Sequence, residues 1–448
     1  MQKRNLTEGP LLTGLAYLAA PMLINAILQN IQSLIDLFWV GRLGPHAVAA
    51  VATGGTVIMV LFPLLMGLST GTVALVARAI GGGRHEDAGA AAGQSLTMAL
   101  MLGGLSGLVG WILAPFLVRL LGAEHDVAGP ATEYLRIALL GSFTVFVLFI
   151  GSSALQGAGD TVRPMYIMAA ANAVNIVLDP LLIFGPGPFP ALGVSGAALA
   201  TVIAQTVAAA LVLRILCRAG GHLRVRAADW RPRWLLAWRI ARIGIPGAAQ
   251  MFSRSLMSAV MLRIVATSGG LAVAAYGVGL RLHMIILMPA FALGGAAATI
   301  VGQNLGAEKP DRASAGAWLA TAVDAAFMAF AAVLVVIFAP VVIRAFSPDP
   351  QVVEIGAAYL RTVSPFYVFA ALGIVLGRSL NGAGDAMSPM VITVITLWAL
   401  QVPLAIWFSR MWSVPTQGIW WSIAIAITVQ GIITTAWFQT GRWKTREV

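Results

Sequence analysis

Apolar runs of about twenty residues, the length that crosses ~30 Å of hydrocarbon, recur from one end of this chain to the other. Cut at polar and Gly/Pro-rich breaks, the sequence predicts twelve spanning helices. They fall at approximately 12–38, 47–77, 88–113, 131–156, 164–184, 192–217, 237–265, 272–302, 312–339, 356–380, 388–408 and 416–439. A fold in water is excluded by composition: 448 residues, 59% hydrophobic and 10% charged, with a mean hydropathy of +0.87, leave too little polar surface. Residues 1–10 lead into the first run without a small-residue cleavage site, which predicts a retained helix and not a signal peptide.

The net charge of +11 raises nucleic acid as a partner, but the basic residues are scattered between apolar runs, so none is expected. Alternate breaks hold them: Lys3 and Arg4; Arg78 and Arg84; Arg163; Arg214 to Arg242; Lys309 and Arg312; Arg378; and Arg442, Lys444 and Arg446. The positive-inside rule then puts both termini on the cytoplasmic side of a bacterial or archaeal inner membrane. The dense cluster from Arg214 to Arg242, interleaved with Trp230, Trp234 and Trp238, reads as a connector lying against anionic lipid. The single cysteine, Cys217, excludes an intramolecular disulfide and is expected to be a small buried hydrophobe. Without CxxC or HExxH spacing, no metal centre or redox cofactor is expected.

Sliding the sequence against itself by 225 positions aligns two halves without a gap. Pro21 meets Pro246, Pro115 meets Pro340, and Tyr134 and Arg136 meet Tyr359 and Arg361. Gly157-Ala158-Gly159-Asp160 meets Gly382-Ala383-Gly384-Asp385. Chance alignment of apolar sequence produces Ala and Leu matches, not Pro, Tyr and a GAGD tetrad in one register. Six helices per half start both halves on the same side, so the repeats are parallel, related by an axis along the membrane normal. The expected fold is an all-α membrane protein of twelve transmembrane helices in two pseudo-symmetric six-helix bundles around a central cavity. Its parts are an N-terminal lobe (1–220), a cytoplasmic basic linker (221–236) and a C-terminal lobe (237–448).

An ionisable side chain at membrane depth costs about 2.5–3.5 kcal/mol on insertion scales and is kept for a reason. Helix 1 carries Asn25, Gln29, Gln32 and Asp36 at spacings of three or four, a single polar face. In helix 5, Asn175 and Asp179 share a face, and Pro180 deprives the Ile176 carbonyl of its helical partner. Counted from the cytoplasmic starts of their helices, Asp36 and Asp179 reach the same outer half of the membrane. Thr201 can add a hydroxyl at that depth, and Tyr134 can donate to Asp179. Two carboxylates in a desolvated site cannot both ionise cheaply, which suits a shared proton; hard oxygens suit Na⁺ equally. The duplication acts as a control, since Asp36, Asn175 and Asp179 align with Met261, Leu400 and Leu404. A residue needed to fold a half recurs in both, whereas a cation site needs to exist once. By that criterion Tyr134, repeated as Tyr359, is equally a structural residue.

In the second half, Gln250 and Arg254 share the face that Asn25 and Gln29 occupy in the first, so both are expected in the cavity, and Arg254 either pairs with a carboxylate or meets substrate. Asp324 has no evident partner. Pro21 and Pro63 are expected to kink helices 1 and 2, and the repetition of Pro21 as Pro246 makes the kink first a structural feature.

These features resemble the multidrug and toxic compound extrusion (MATE) exporters. The resemblance rests on the Pro21…Asp36 pattern, the GAGD-T-x-x-P turn from Gly157 to Pro164, the Asn175-x-x-x-Asp179-Pro180 run and the paired halves, and it spans essentially the whole chain. The helix 1 and helix 5 acids are most similar to the prokaryotic branch related to DNA-damage-inducible protein F. The resemblance implies a cation site at Asp36, Asn175 and Asp179, with Gln29, Tyr134 and Thr201 as further members. Other branches carry an acid in helix 7, near Arg254 here, and another in helix 10; their absence puts a second cation site in doubt. The implied activity is antiport by alternating access of small lipophilic organic compounds, cationic by default, against H⁺ or Na⁺, by a monomer in the bilayer. The alternatives are a flippase for a lipid-linked precursor and an exporter of an anionic metabolite. No Ser/His, Ser/Lys or His-rich constellation lies at membrane depth to support an enzyme.

Overall fold

The computed structural model describes residues 6–187, 190–218 and 223–446; Lys3, Arg4 and the first residues of the expected linker lie outside the described residues. Twelve spanning helices follow in order. The first six are α1 (Leu11–Gly41), α2 (Pro45–Gly81), α3 (His85–Leu120), α4 (His125–Leu140 and Ser142–Gly157, bent by 45°), α5 (Val162–Phe184) and α6 (Val194–Cys217). The second six are α7 (Trp234–Ala266), α8 (Gly270–Gly306), α9 (Pro310–Arg344), α10 (Pro350–Gly382), α11 (Met387–Met411) and α12 (Pro415–Gln439). All but α7 are apolar enough to cross by composition alone. The exception carries Arg239, Arg242, Arg254 and Arg263.

The duplication reappears in the backbone. α2 and α8 begin at Pro45 and Gly270 and end at Gly81 and Gly306, displaced by the same 225 positions. Each GAGD tetrad ends one helix and starts the next. Gly159 and Gly384 adopt φ of 86° and 90°, which an L side chain tolerates poorly. That turn lets the Asp160 amide donate to the Leu155 carbonyl and the Asp385 amide to the Leu380 carbonyl, both at 2.9 Å, closing a Schellman-type stop. The aspartates then cap the following helix, accepting from the amides of Arg163 (3.1 Å) and Ser388 (3.3 Å). In α2 the expected disturbance at Pro63 is a local tightening at Met59–Leu61. Pro63 has no amide for the Met59 carbonyl, and Phe62 donates to it instead.

The chain forms two compact units, Ala20–Gly244 and the combination of the chain up to Ala19 with Ile245 onward. Ala20 and Ile245 are themselves 225 apart, each one residue before the repeated Pro21 or Pro246. Each half therefore lends the start of its first helix to the other half's unit. In the first unit the start of α7 is seated on α2 through glycine: a Cβ on Gly71 would stand 2.5 Å from the Ile240 carbonyl oxygen. In the second, Leu15 and Leu18 of α1 are buried. Asn304, Lys309 and Arg312 donate to the carbonyls of Leu6 (3.3 Å), Thr7 (3.1 Å) and Gly9 (2.7 Å).

The connector is docked onto the first unit. Asp229 is buried over Gly89 and Gly93 of α3 and accepts from the Arg226 amide at 2.8 Å. The Arg233 amide donates to Gln94 at 2.8 Å, and Arg226 pairs with Glu86 at 2.8 Å. Trp234 and Trp238 remain 85% and 55% exposed, positions suited to interfacial anchoring. Cys217, expected to be buried, is exposed, because α6 ends there and Arg218 turns into extended backbone.

Filling the slot should unseat the connector. In Gly93→Val the new Cβ would stand 2.8 Å from the Asp229 Cβ and carbonyl oxygen. Overpacking of this kind costs about 1–3 kcal/mol, so the variant should melt several degrees lower in detergent and be cut by trypsin between Arg226 and Arg233, where the parent resists.

Candidate functional site

Asp36 and Asp179 each stand five residues before the ends of α1 and α5, at Gly41 and Phe184. The two helices run the same way, so both carboxyls lie about 7.5 Å below the helix ends. Asp179 and Asn175 are fully buried and Asp36 is half-buried. Asn175 Nδ2 donates to Asp179 Oδ1 at 3.2 Å, and Asp36 reaches both residues. The structure thus brings the three expected residues together. Two carboxylates offer acceptors only, and Asp36 Oδ1, Asp179 Oδ2 and Asn175 Oδ1 are buried without a protein donor. Such a set of oxygens is satisfied by a proton held between the acids or by a small hard cation.

Asn172, which reading the sequence for ionisable residues passed over, donates through Nδ2 to the Leu28 carbonyl at 2.8 Å. It ties α5 to α1 and so fixes the face on which the acids meet. The repeat carried the signal: Asn172, Asn175 and Asp179 lie on one face of α5, and their counterparts are Leu397, Leu400 and Leu404.

Tyr134 stands within electrostatic reach of both acids. Its ring packs on Gly54, where a Cβ would be 2.5 Å from Cδ1, and Tyr359 packs on Gly279 at the same 2.5 Å. The packing is common to both halves, and the acidic neighbours are not. Tyr359 meets Tyr276 and Trp420 instead, with ring centroids 5.9 and 4.9 Å away. The Thr201 hydroxyl donates to the Ala197 carbonyl at 3.0 Å within α6. Asn25 is half-buried with Oδ1 lacking a partner, and Gln29 is exposed.

In the second unit, Gln250 is bound inside the bundle, donating to Thr393 Oγ1 at 2.9 Å and to the Pro389 carbonyl at 3.3 Å, while Gln430 donates to the same threonine at 3.1 Å. Arg254 is half-buried near a second arginine, Arg378. The sequence expectation put Arg378 in a loop. It lies within α10, because a π-type turn at Leu372–Leu376 carries the helix on to Gly382, and its guanidinium is 5.3 Å from the Phe291 ring. Asp324 is fully buried with neither carboxylate oxygen partnered.

Two parallel six-helix repeats, with an acidic pair at membrane depth in one of them, define a multi-pass membrane transporter. The MatE family model matches residues 21–181 and 246–407, one copy per repeat, each beginning at the shared proline. The chain belongs to the MATE family. A probable multidrug resistance protein NorM of Thermotoga maritima is 28% identical over 96% of this chain and 93% of its own length. A FAD transporter of Shewanella oneidensis is 30% identical over 90% of this chain and 89% of its own. A crystal structure of a MATE transporter in the bent conformation superposes with a TM-score of 0.91 at 27% identity, covering 97% of this chain and 96% of that one.

If one proton bridges the acids, infrared difference spectra of the purified protein at neutral pH should contain the C=O stretch of a protonated carboxyl, shifted by D₂O. The band should weaken in Asp36→Asn and equally in Asp179→Asn, because either change removes the shared site. A band untouched by both substitutions would place the proton elsewhere.

Proposed function

We propose that this chain is a secondary active exporter that moves small organic molecules out of the cell against H⁺ or Na⁺ by alternating access, with Asp36, Asn175 and Asp179 as the coupling site. The observation that carries the reading is the asymmetry of the duplication. The acids and their amide partner occur in one repeat only, they meet, and their oxygens have donor-free lone pairs. A cation drives transport only by binding two states of the protein differently. α1 offers a route for that difference, because its start belongs to one unit and its Asp36-bearing remainder to the other, with Pro21 at the division. Bending at Pro21 when the acids gain or lose a cation would then shift substrate affinity.

The reading includes a monomer in the cytoplasmic membrane with both termini inside, as the basic breaks require. Lipophilic cations are the substrate class that the acidic pair favours. The similarity to a FAD transporter supports a second reading, export of an anionic metabolite.

Efflux of a fluorescent lipophilic cation from proteoliposomes, under separately imposed H⁺ and Na⁺ gradients, tests the proposal. Wild-type protein should respond to one gradient, and Asp36→Asn and Asp179→Asn should each reduce the gradient-driven rate at least about a hundredfold. Unchanged rates in well-folded variants would remove these acids from coupling.

A further inference from the structure

A second polar cluster lies inside the unit that begins at Ile245, and the coupling site makes no use of it. Arg254 of α7 and Arg378 of α10 are half-buried and near enough for their charges to repel. His283 of α8, 9% exposed, feels the charge of Arg254 and sits with Nδ1 3.1 Å from the Tyr367 hydroxyl. Among the described residues neither arginine forms an ion pair. The acids of this unit are engaged elsewhere or out of reach: Asp385 pairs with Arg446 at 3.2 Å, Asp311 with Lys444 at 3.0 Å, and Asp349 caps α10. Buried Asp324 has neither arginine as a neighbour.

The duplication shows that the scaffold does not need this cluster. At the positions of Arg254, His283, Tyr367 and Arg378 the first half has Gln29, Ile58, Ser142 and Ser153. Ser153 bonds to Ser69 at 2.7 Å, a small polar pair that closes the contact between α4 and α2. In the second half the same pair of positions holds Arg378 and Gly294, and a Cβ on Gly294 would stand 2.8 Å from Arg378 Cδ. The glycine makes room for the arginine stem, and Phe291 flanks the guanidinium. Two guanidiniums held near each other without a carboxylate are costly in a low-dielectric interior, and an anion between them removes that cost. Their planar forks match the oxygens of a carboxylate or phosphate.

We propose that Arg254 and Arg378 bind an oxyanion group, carboxylate or phosphate ester, carried by the transported molecule, with the His283–Tyr367 pair forming the adjoining wall. This inference rests on the transporter reading above and names its substrate class: molecules bearing an acidic group, soluble and not lipid.

Calorimetric titration of the purified protein in a neutral maltoside detergent tests it, with phenyl phosphate as probe and benzyl alcohol as its uncharged counterpart. Wild-type protein should bind phenyl phosphate. Arg254→Gln and Arg378→Ser, which install the residues of the first half, should each weaken binding about tenfold or more. Arg254→Lys should retain more of it, and benzyl alcohol should not discriminate among them. Unliganded melting temperatures show which variants are folded; where Arg254→Gln is not, Arg378→Ser and Arg254→Lys carry the test. Absence of binding by wild-type protein, or equal affinity in all folded variants, overturns the proposal. A third arm adds phosphatidylglycerol or phosphatidylcholine. Loss of phenyl phosphate binding with either lipid assigns the cluster to a lipid phosphate and overturns the assignment to a soluble substrate. Binding is read without a gradient, so its outcome is separate from that of the efflux assay.

Discussion

Hydrocarbon does not solvate a charge or an unpaired backbone group, and that intolerance organises this molecule at every scale. It sets helices that satisfy their own amides, about twenty apolar residues at a time, and it makes glycine the means of close approach where side chains give no driving force. Gly71 beneath the Ile240 carbonyl and Gly54 beneath the Tyr134 ring are two such contacts. The same intolerance singles out polar groups that remain. Thr72, Thr321 and Thr396 return their hydroxyl protons to carbonyls of their own helices and need nothing further. Asp36, Asn175 and Asp179 keep oxygens that no protein donor reaches.

Duplication turns that distinction into a comparison within one chain. Positions that must close a turn or seat a helix appear twice in matching geometry: Gly159 with Gly384, Asp160 with Asp385, Tyr134 on Gly54 with Tyr359 on Gly279. Polar positions that appear once have no scaffold task to explain them. These divide by sign, carboxylates in the first repeat and guanidiniums in the second. Each cluster is set among apolar counterparts or small neutral residues in the opposite repeat. A six-helix unit is thus a common support on which two sites of opposite polarity have been built.

Much of this was legible in the sequence, and the gaps have physical reasons. The apolar runs located all twelve helices, though the helices run beyond the runs, as in α9 at Pro310–Arg344 against an expected 312–339, because their polar ends stay helical outside the hydrocarbon. Asp36, Asn175 and Asp179 could be grouped from spacing and depth alone, since parallel helices of known rise bring equal distances to equal heights. Asn172 was missed because a neutral amide attracts no attention until its partner, a carbonyl on another helix, is known. Arg378 was misplaced because a charge near a glycine-rich turn reads as a loop residue, and only the room above Gly294 shows that its stem enters the bundle. The docking of Asp229 over Gly89 and Gly93 depends on contact between segments more than 130 residues apart, which no local pattern encodes.

The exchanged helix starts bear on how such a structure can move. If α1 belonged wholly to one unit, a change at Asp36 would be confined to that unit's packing. Because the segment up to Ala19 is anchored with the second unit, through the buried Leu15 and Leu18, α1 is mechanically shared. A shared helix must either resist relative movement or yield at one place. Pro21 is where yielding costs least: its nitrogen gives no hydrogen bond to the carbonyl of Tyr17, four residues back, so the ladder is already open there. α7 is built the same way around Pro246, yet it carries Met261 where α1 carries Asp36. Of two helices with equivalent weak points, only α1 has a carboxyl that a cation can reach, and that difference makes it the one able to convert cation binding into bending.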